Sequence, residues 1–298
     1  MDFDQIKTEE RNSRSCNIDR LSTEEMIRLI NDEDKKVADA VEKEIGHISQ
    51  AVDIITDRLR AGGRLVYVGC GTSGRLGVLD AVECPPTYST DPGMVIGLMA
   101  GGLEAFVRAR EGAEDDEGQG AVDLQNIAFG SRDVLVGIAA SGRTPYVLGA
   151  MAYAKEQGAT VIGLSCNPGS PVEQSADIAI TPVPGPEVVT GSTRMKSGTA
   201  QKMVLNMLST GAMIRLGKVY GNLMVDMKAT NKKLVERCKR IVCQAAEVDP
   251  ETATRALEQC GYRAKTAIVM LKTGSDVQGA EKLLAENDGR VSLAVCRR

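Results

Sequence analysis

Gly69-Cys70-Gly71-Thr72-Ser73-Gly74-Arg75 and Ala140-Ser141-Gly142-Arg143-Thr144 are two loops of one chemical type. Each follows an apolar, β-branched run, residues 64–68 in the first case and 133–139 in the second, and each precedes a helical pattern. Glycine lets a backbone come close to a ligand. A helix start offers free N–H groups and the positive end of its dipole, and serine and threonine add hydroxyls. This combination suits an anion, a phosphate above all. Two such loops on one sheet predict a pocket that grips a phosphate and the polar molecule attached to it.

Working outward, five short runs read as strands: residues 64–68, 94–99, 133–139, 160–165 and 178–182. Helical patterns lie between most of them, over 75–82, 103–111, 116–128 and 145–157. This alternation predicts an α/β fold with a mainly parallel five-stranded sheet covered by helices on both faces. Ligands of such sheets bind at the carboxyl ends of the strands, where both loops sit. Upstream, Ser22-Thr23-Glu24-Glu25 opens a helix with Ser22 as its N-cap. A longer helix is predicted over 34–60, with Val37, Val41, Ile45, Ile48, Val52, Ile55 and Leu59 as its apolar stripe. His47 falls off that stripe and is expected in solvent. After Pro182-Val183-Pro184-Gly185-Pro186 the chain turns helical, with Ala200, Met203, Val204, Met207 and Leu208 spaced as a buried face. A helix over 225–247 follows, and Asp249-Pro250 marks the next helix start. Residues 248–298 read as three short helices separated by Gly261 and Gly274. The expected division is a large domain over 1–247 and a small helical bundle over 248–298.

The 298 residues allow one large domain or two ordinary ones. A formal net charge of −4, three Phe and no Trp argue against a nucleic-acid surface. Met1-Asp2-Phe3-Asp4-Gln5 is acidic and polar, unlike a secretory signal, and no run approaches the roughly 18 apolar residues of a membrane span. The eight cysteines form no Cys-x-x-Cys pair and are expected as free, buried thiols. With His47 as the only histidine, neither a zinc site nor a histidine-based triad is expected.

Gly69-x-Gly71-x-x-Gly74 also matches the dinucleotide fingerprint. That reading needs an acidic residue at the end of the next strand to hold a ribose, and the strand ends Leu98-Met99-Ala100-Gly101-Gly102. No Gly-x-x-x-x-Gly-Lys-[Ser/Thr] occurs, which excludes a P-loop. The plain alternative for either loop alone is a turn and a helix cap.

Three carboxylates stand out. Cys84-Pro85-Pro86 is expected to stop the first loop's helix, leaving Glu83 in its last turn, where the dipole is negative and a carboxyl tends to a raised pKa. A misplaced surface glutamate is the plain alternative. Glu114, within Glu111-Gly112-Ala113-Glu114-Asp115-Asp116-Glu117, reads equally as part of a solvated acidic cap. Glu187 precedes Val188-Val189-Thr190-Gly191-Ser192-Thr193-Arg194-Met195-Lys196, where hydroxyls and cations again gather at a helix start; Ser192 and Lys196 join Glu187 as candidate ligand contacts.

The stretches GCGTSGR, AVECPPT, GAEDD, ASGRTPYVLGA, TGSTRMKSGTAQK and GKVYGNLMVDM together resemble the N-acetylmuramic acid 6-phosphate etherases, members of the sugar isomerase (SIS) superfamily. The likeness runs from Thr8-Glu9-Glu10-Arg11-Asn12 to the C-terminal helices. It implies a three-layer αβα sandwich, usually dimeric, and a C-terminal bundle resembling a ubiquitin-associated domain. It also implies a cytoplasmic lyase of peptidoglycan recycling that needs no metal or nicotinamide cofactor. The implied substrate is a phosphorylated amino sugar, cleaved to N-acetylglucosamine 6-phosphate and D-lactate. Glu83 and Glu114 match the family's catalytic pair. Ser73, Ser141 and Thr144 match the hydroxyls that hold the sugar phosphate, with Thr72, Gly74 and Gly142 beside them. Arg143 is a further candidate by charge. An aldose–ketose isomerase and a sugar-phosphate-sensing regulator, as in the related glucokinase regulatory protein, are the alternatives the resemblance keeps open.

Overall fold

The computed structural model describes residues 6–108, 110–227, 229 and 231–296. The chain divides into two compact units: Met1–Val82 with Gly93–Ser209, and Glu83–Pro92 with Thr210–Arg298.

Five strands form the sheet of the first unit: β1 (Leu65–Gly69), β2 (Val95–Met99), β3 (Val134–Ile138), β4 (Thr160–Leu164) and β5 (Ile178–Ile180). Each predicted run coincides with one of them to within one or two residues at either end. Every pairing is parallel, in the order β2-β1-β3-β4-β5. The residues of β1 and β3 are buried throughout because helices cover both faces. Val66 and Val68 join Leu135 in a core completed by Leu124 of α6 (Glu117–Asn126) and by Tyr146, Val147 and Met151 of α7 (Pro145–Glu156). The intervening Tyr67 takes the opposite direction, as strand geometry requires. It meets α4 (Gly71–Tyr88), and its hydroxyl donates to Asp80 at 2.8 Å. Each buried aliphatic side chain contributes about 1.5–3 kcal/mol relative to exposure.

The strand order reverses between the neighbours β1 and β3. The chain leaves β1 for β2 on one side and β3 for β4 on the other. In open α/β sheets this switch point opens a crevice at the carboxyl ends of the strands. The loops that follow β1 and β3 are the two loops singled out above.

The helix predicted over 34–60 is broken in two. α1 (Thr23–Asp34) carries the expected capping box of Ser22 and Glu25; α2 (Lys36–Glu42) and α3 (Ile45–Arg60) follow. The break at Lys43 and Glu44 has a tertiary cause: the Glu44 carboxylate accepts the N–H of Thr181, just past β5, at 3.1 Å. The interruption shifts the phase of the stripe. Val37, Val41, Ile48, Ile55 and Leu59 are buried, whereas Ile45 is exposed. His47 lies in solvent beside Glu44, as expected.

Between β2 and β3 lie α5 (Gly102–Val107) and α6, and α8 (Pro171–Gln174) precedes β5. The helix after the proline-rich turn is α9 (Lys196–Arg215), which buries Ala200, Val204, Leu205 and Leu208 but leaves Met207 exposed. In the second unit, α10 (Lys232–Ala246) begins later than expected, at an Asn231 cap. The Asp249-Pro250 start is borne out in α11 (Pro250–Gln259), whose first two N–H groups bond to Asp249. α12 (Ala264–Thr273), α13 (Val277–Ala285) and α14 (Val291–Val295) complete the bundle. Among its described residues the tail thus holds four helices rather than three, because a turn with Asp288 and Gly289 at positive φ separates the last two. Cys238, Val242, Leu257, Ile268 and Val291 share its core. Among the described residues no helix is long and apolar enough to cross a membrane.

One buried ionic knot ties the N-terminal helices of the first unit to the start of α9. Glu33 accepts from Lys196 Nζ at 2.7 Å, Lys36 Nζ at 2.7 Å and Arg14 Nη1 at 2.9 Å. Burial alone would raise its pKa, but the hydrogen bonds from Lys196 and Lys36 outweigh burial and pull it from 4.5 down to about 2. A carboxyl with a lower pKa folded than unfolded adds stability above its unfolded value and loses it on acidification. Glu33 therefore contributes in full above about pH 4.5, and the contribution fades toward about pH 2. Glu33→Gln is expected to cost about 3 kcal/mol at neutral pH by leaving Lys196 buried without a counter-charge. It should also flatten the acid limb of stability against pH. Denaturant titrations at neutral and acidic pH measure both effects.

Candidate functional site

The first loop is shaped by two glycines in backbone contact. A Cβ on Gly69 would lie 2.7 Å from the nitrogen of Gly74, and one on Gly74 would lie 2.6 Å from the carbonyl oxygen of Gly69. Only glycine at both positions lets α4 leave β1 this tightly. The turn places Ser73 in the first turn of α4, buried, with Thr72 half-buried beside it. Ser73 Oγ lies 2.9 Å from Gln201 Oε1 on α9. Deeper in the unit the same two helices meet again: Asp80 accepts from Asn206 Nδ2 at 2.6 Å and Ser209 Oγ at 3.1 Å. Burial, the larger effect, raises the Asp80 pKa against these hydrogen bonds.

The second loop turns on Gly142, whose φ is +67° and where a Cβ would sit 2.2 Å from Ser170 Oγ. Ser141 Oγ accepts from the Arg143 N–H at 3.3 Å. Thr144 is the N-cap of α7, yet its hydroxyl makes no cap hydrogen bond; Pro145 occupies the first helical position, where no N–H needs a partner. The Thr144 hydroxyl is thus not spent on the helix. Asn167 braces this loop, donating to the Ala140 carbonyl at 2.9 Å and to Thr8 Oγ1 at 2.9 Å. The Gly74 N–H bonds to Cys70 O at 3.2 Å and the Gly142 N–H to Ala139 O at 2.9 Å.

Glu114 has its backbone fixed next to the second loop. Its carbonyl accepts the N–H of Tyr146, two residues past Thr144, at 3.0 Å. Its exposed carboxylate acts by its charge on the Cys70 thiol of the first loop. Burial first, then the Glu114 charge, pushes the Cys70 pKa up to about 11, so the thiol stays protonated. Asp116, in the same acidic run, caps α6 by accepting from Gln119 N at 3.0 Å.

Glu83 is exposed and lies in the second unit, on α4. It is not in the last turn, because the helix runs on through Pro85 and Pro86 to Tyr88. Each proline deletes one backbone hydrogen bond but holds φ at a helical value, and Ser89 N–H still bonds to Pro85 O at 3.0 Å. The dipole argument for Glu83 falls with that correction.

The start of α9 uses its polar residues internally. Glu187 is fully buried, with Oε2 accepting Lys196 N–H at 3.0 Å and Oε1 accepting Ser197 N–H at 2.9 Å and Ser197 Oγ at 3.0 Å. A carboxylate here faces the positive end of the helix dipole. Lys196 is committed to Glu33, and Ser192 forms the turn ahead of the helix, its carbonyl accepting Met195 N–H at 3.2 Å. Sequence reasoning missed Gln201, Asn167 and Glu33. Gln201 at least lies inside the quoted stretch TGSTRMKSGTAQK, one turn into the helix.

Comparison with known proteins places the chain in a family. Residues 47–155 match the glucokinase regulatory protein N-terminal SIS domain, and residues 117–211 match the SIS domain. The fold resembles that of a phosphoheptose isomerase from Neisseria gonorrhoeae, with a TM-score of 0.50 and 18% identity over 64% of this chain and 98% of that one. An N-acetylmuramic acid 6-phosphate etherase of Photorhabdus laumondii is 61% identical over 97% of this chain and 96% of its own length. One from Photobacterium profundum is 59% identical over 99% and 98%. The chain belongs to the N-acetylmuramic acid 6-phosphate etherase family.

Proposed function

We propose that this protein cleaves the D-lactyl ether of N-acetylmuramic acid 6-phosphate, giving N-acetylglucosamine 6-phosphate and D-lactate. The carrying observation is the position of Glu114, whose carbonyl bonds to the helix that follows the loop after β3 and whose charge acts on Cys70 in the loop after β1. Both loops belong to the switch-point crevice, so a sugar whose phosphate they hold lies within reach of this acid. The hydroxyls of Thr72, Ser73, Ser141 and Thr144 receive the phosphate, and Arg143 adds charge. Glu187, Ser192 and Lys196 serve by building the start of α9.

The chemistry follows from ring opening, which exposes an aldehyde at C1 and acidifies the C2 proton. Glu114 takes that proton. The C3–O bond breaks, and Glu83 protonates the departing lactate oxygen. An unsaturated aldehyde remains. Glu83, now ionised, takes a proton from water, whose oxygen adds at C3 while Glu114 returns a proton to C2. Two carboxyl groups can share such work when their protonation states alternate. The site serves cell-wall sugar recycling in the cytoplasm. A second copy of the chain is the expected partner, consistent with exposed Leu103, Phe106 and Val107 on α5.

Glu114→Ala and Glu83→Ala are each expected to cut turnover about 100-fold or more, read as lactate released from the muramic acid substrate. Full activity in either variant removes that residue from the mechanism. Product formed in deuterated water should carry deuterium at C2; unlabelled product contradicts the elimination. Ser141→Ala should raise KM about ten-fold, the scale of one hydrogen bond to a charged group, with a smaller change in kcat. An unchanged KM would locate the phosphate elsewhere.

A further inference from the structure

Ser73 has one proton to give, and its neighbour decides where that proton points. Ser73 Oγ lies 2.9 Å from Gln201 Oε1, so the hydroxyl donates to the amide oxygen. Both side chains are buried, Ser73 to 7% and Gln201 to 1% exposure. The other end of the same amide, Gln201 Nε2, is buried with no hydrogen-bond partner among the described residues. A buried, unpaired NH2 group is costly, and native proteins rarely keep one without a use. With its proton on Gln201, Ser73 turns only lone pairs toward a phosphate, and lone pairs repel an anion.

The amide can resolve both problems by turning over. Its oxygen and nitrogen ends have nearly the same shape, and the terminal torsion of glutamine is broad and roughly two-fold. A half-turn about Cγ–Cδ brings Nε2 to the place Oε1 held. Nε2–H then donates to Ser73 Oγ, and the Ser73 O–H swings free to donate to a phosphate oxygen. The two orientations leave similar numbers of amide groups unmet, so the anion can tip the balance.

We propose that Gln201 is the positioning residue of the phosphate site, an amide that turns over when the phosphate binds and so converts Ser73 from an inward donor into a donor to the ligand. This rests on the phosphate site proposed above. No bond to carbon or phosphorus changes, and no proton leaves Ser73.

Gln201→Met keeps the length of the side chain and removes both donor and acceptor. Its KM for N-acetylmuramic acid 6-phosphate is expected to rise about 3- to 10-fold, the scale of one neutral hydrogen bond, with kcat within about two-fold. In a Ser73→Ala background the same substitution should change KM by less than about two-fold, since Gln201 acts through Ser73. A purely structural role predicts the opposite, an equal effect in both backgrounds, and that result overturns the proposal. So does a folded Gln201→Met protein with the parent KM. Gln201→Glu gives an independent check should the Met variant fail to fold. Its carboxylate, once ionised above a pKa that burial raises, only accepts, holds the Ser73 proton inward and should raise KM beyond about ten-fold at the alkaline end of a pH series, the range in which KM is read. Parent-like KM in Gln201→Glu also overturns the proposal. Ser141→Ala separates the two levels. If it leaves KM unchanged, the phosphate site itself is misplaced; if it raises KM while the Gln201 variants do not, only the role of Gln201 fails.

Discussion

The close approach of Gly69 to Gly74 governs the geometry of this site. Two backbones touch where any side chain would collide, and the contact sets the angle at which α4 leaves β1. Everything polar on α4 follows from it. Ser73 arrives at Gln201, and Asp80 arrives at Tyr67, Asn206 and Ser209. The carbonyl of Gly69 is not idle either, since it accepts the N–H of Ala100 beyond β2 at 3.1 Å. A methyl group at Gly74 would disturb the strand end, the helix start and the side chain of Met99 together.

Around that contact the first unit is pinned by buried polar links rather than by apolar packing alone. Glu187 holds the N-terminus of α9, Glu33 binds the ammonium of the first residue of that helix, and Asn167 fastens the second loop to Thr8. Such links carry a desolvation cost and reward only the correct geometry. The N-terminal residues, irregular in sequence, thereby become part of the scaffold: Asn12 Nδ2 donates to Pro186 O at 3.1 Å, next to Glu187.

The sheet was legible in the sequence because its strands are continuous apolar runs, the mark of parallel strands buried on both faces. The two loops were legible because glycine and hydroxyl residues sit at the change from strand to helix. What escaped was decided by contacts distant in the chain. Glu44 breaks a periodic helix because Thr181, across the fold, claims its carboxylate. Pro85 and Pro86 read as a stop, yet the helix passes through them, since each proline needs only a tolerable loss of one hydrogen bond and a suitable φ. Glu187 and Lys196 carried the chemistry of ligand contacts, and nothing local showed that a helix start and Glu33 would occupy them. Gln201 is the reverse case: an unremarkable polar residue in a helix, given meaning by the hydroxyl it meets.

The sulfur chemistry of the protein also follows from its packing. All eight cysteines are free, yet Cys84, Cys166, Cys238 and Cys260 are buried, and burial pushes Cys166 up to about 12 and Cys238 to about 11. Cys70, beside the carboxylate of Glu114, is driven the same way. Peroxides and alkylating reagents attack the thiolate, a form these residues scarcely populate near neutrality. A thiol-rich chain is in this way made chemically quiet at its heart, leaving solvent-facing Cys16 and Cys296 as the positions where an electrophile meets sulfur most freely.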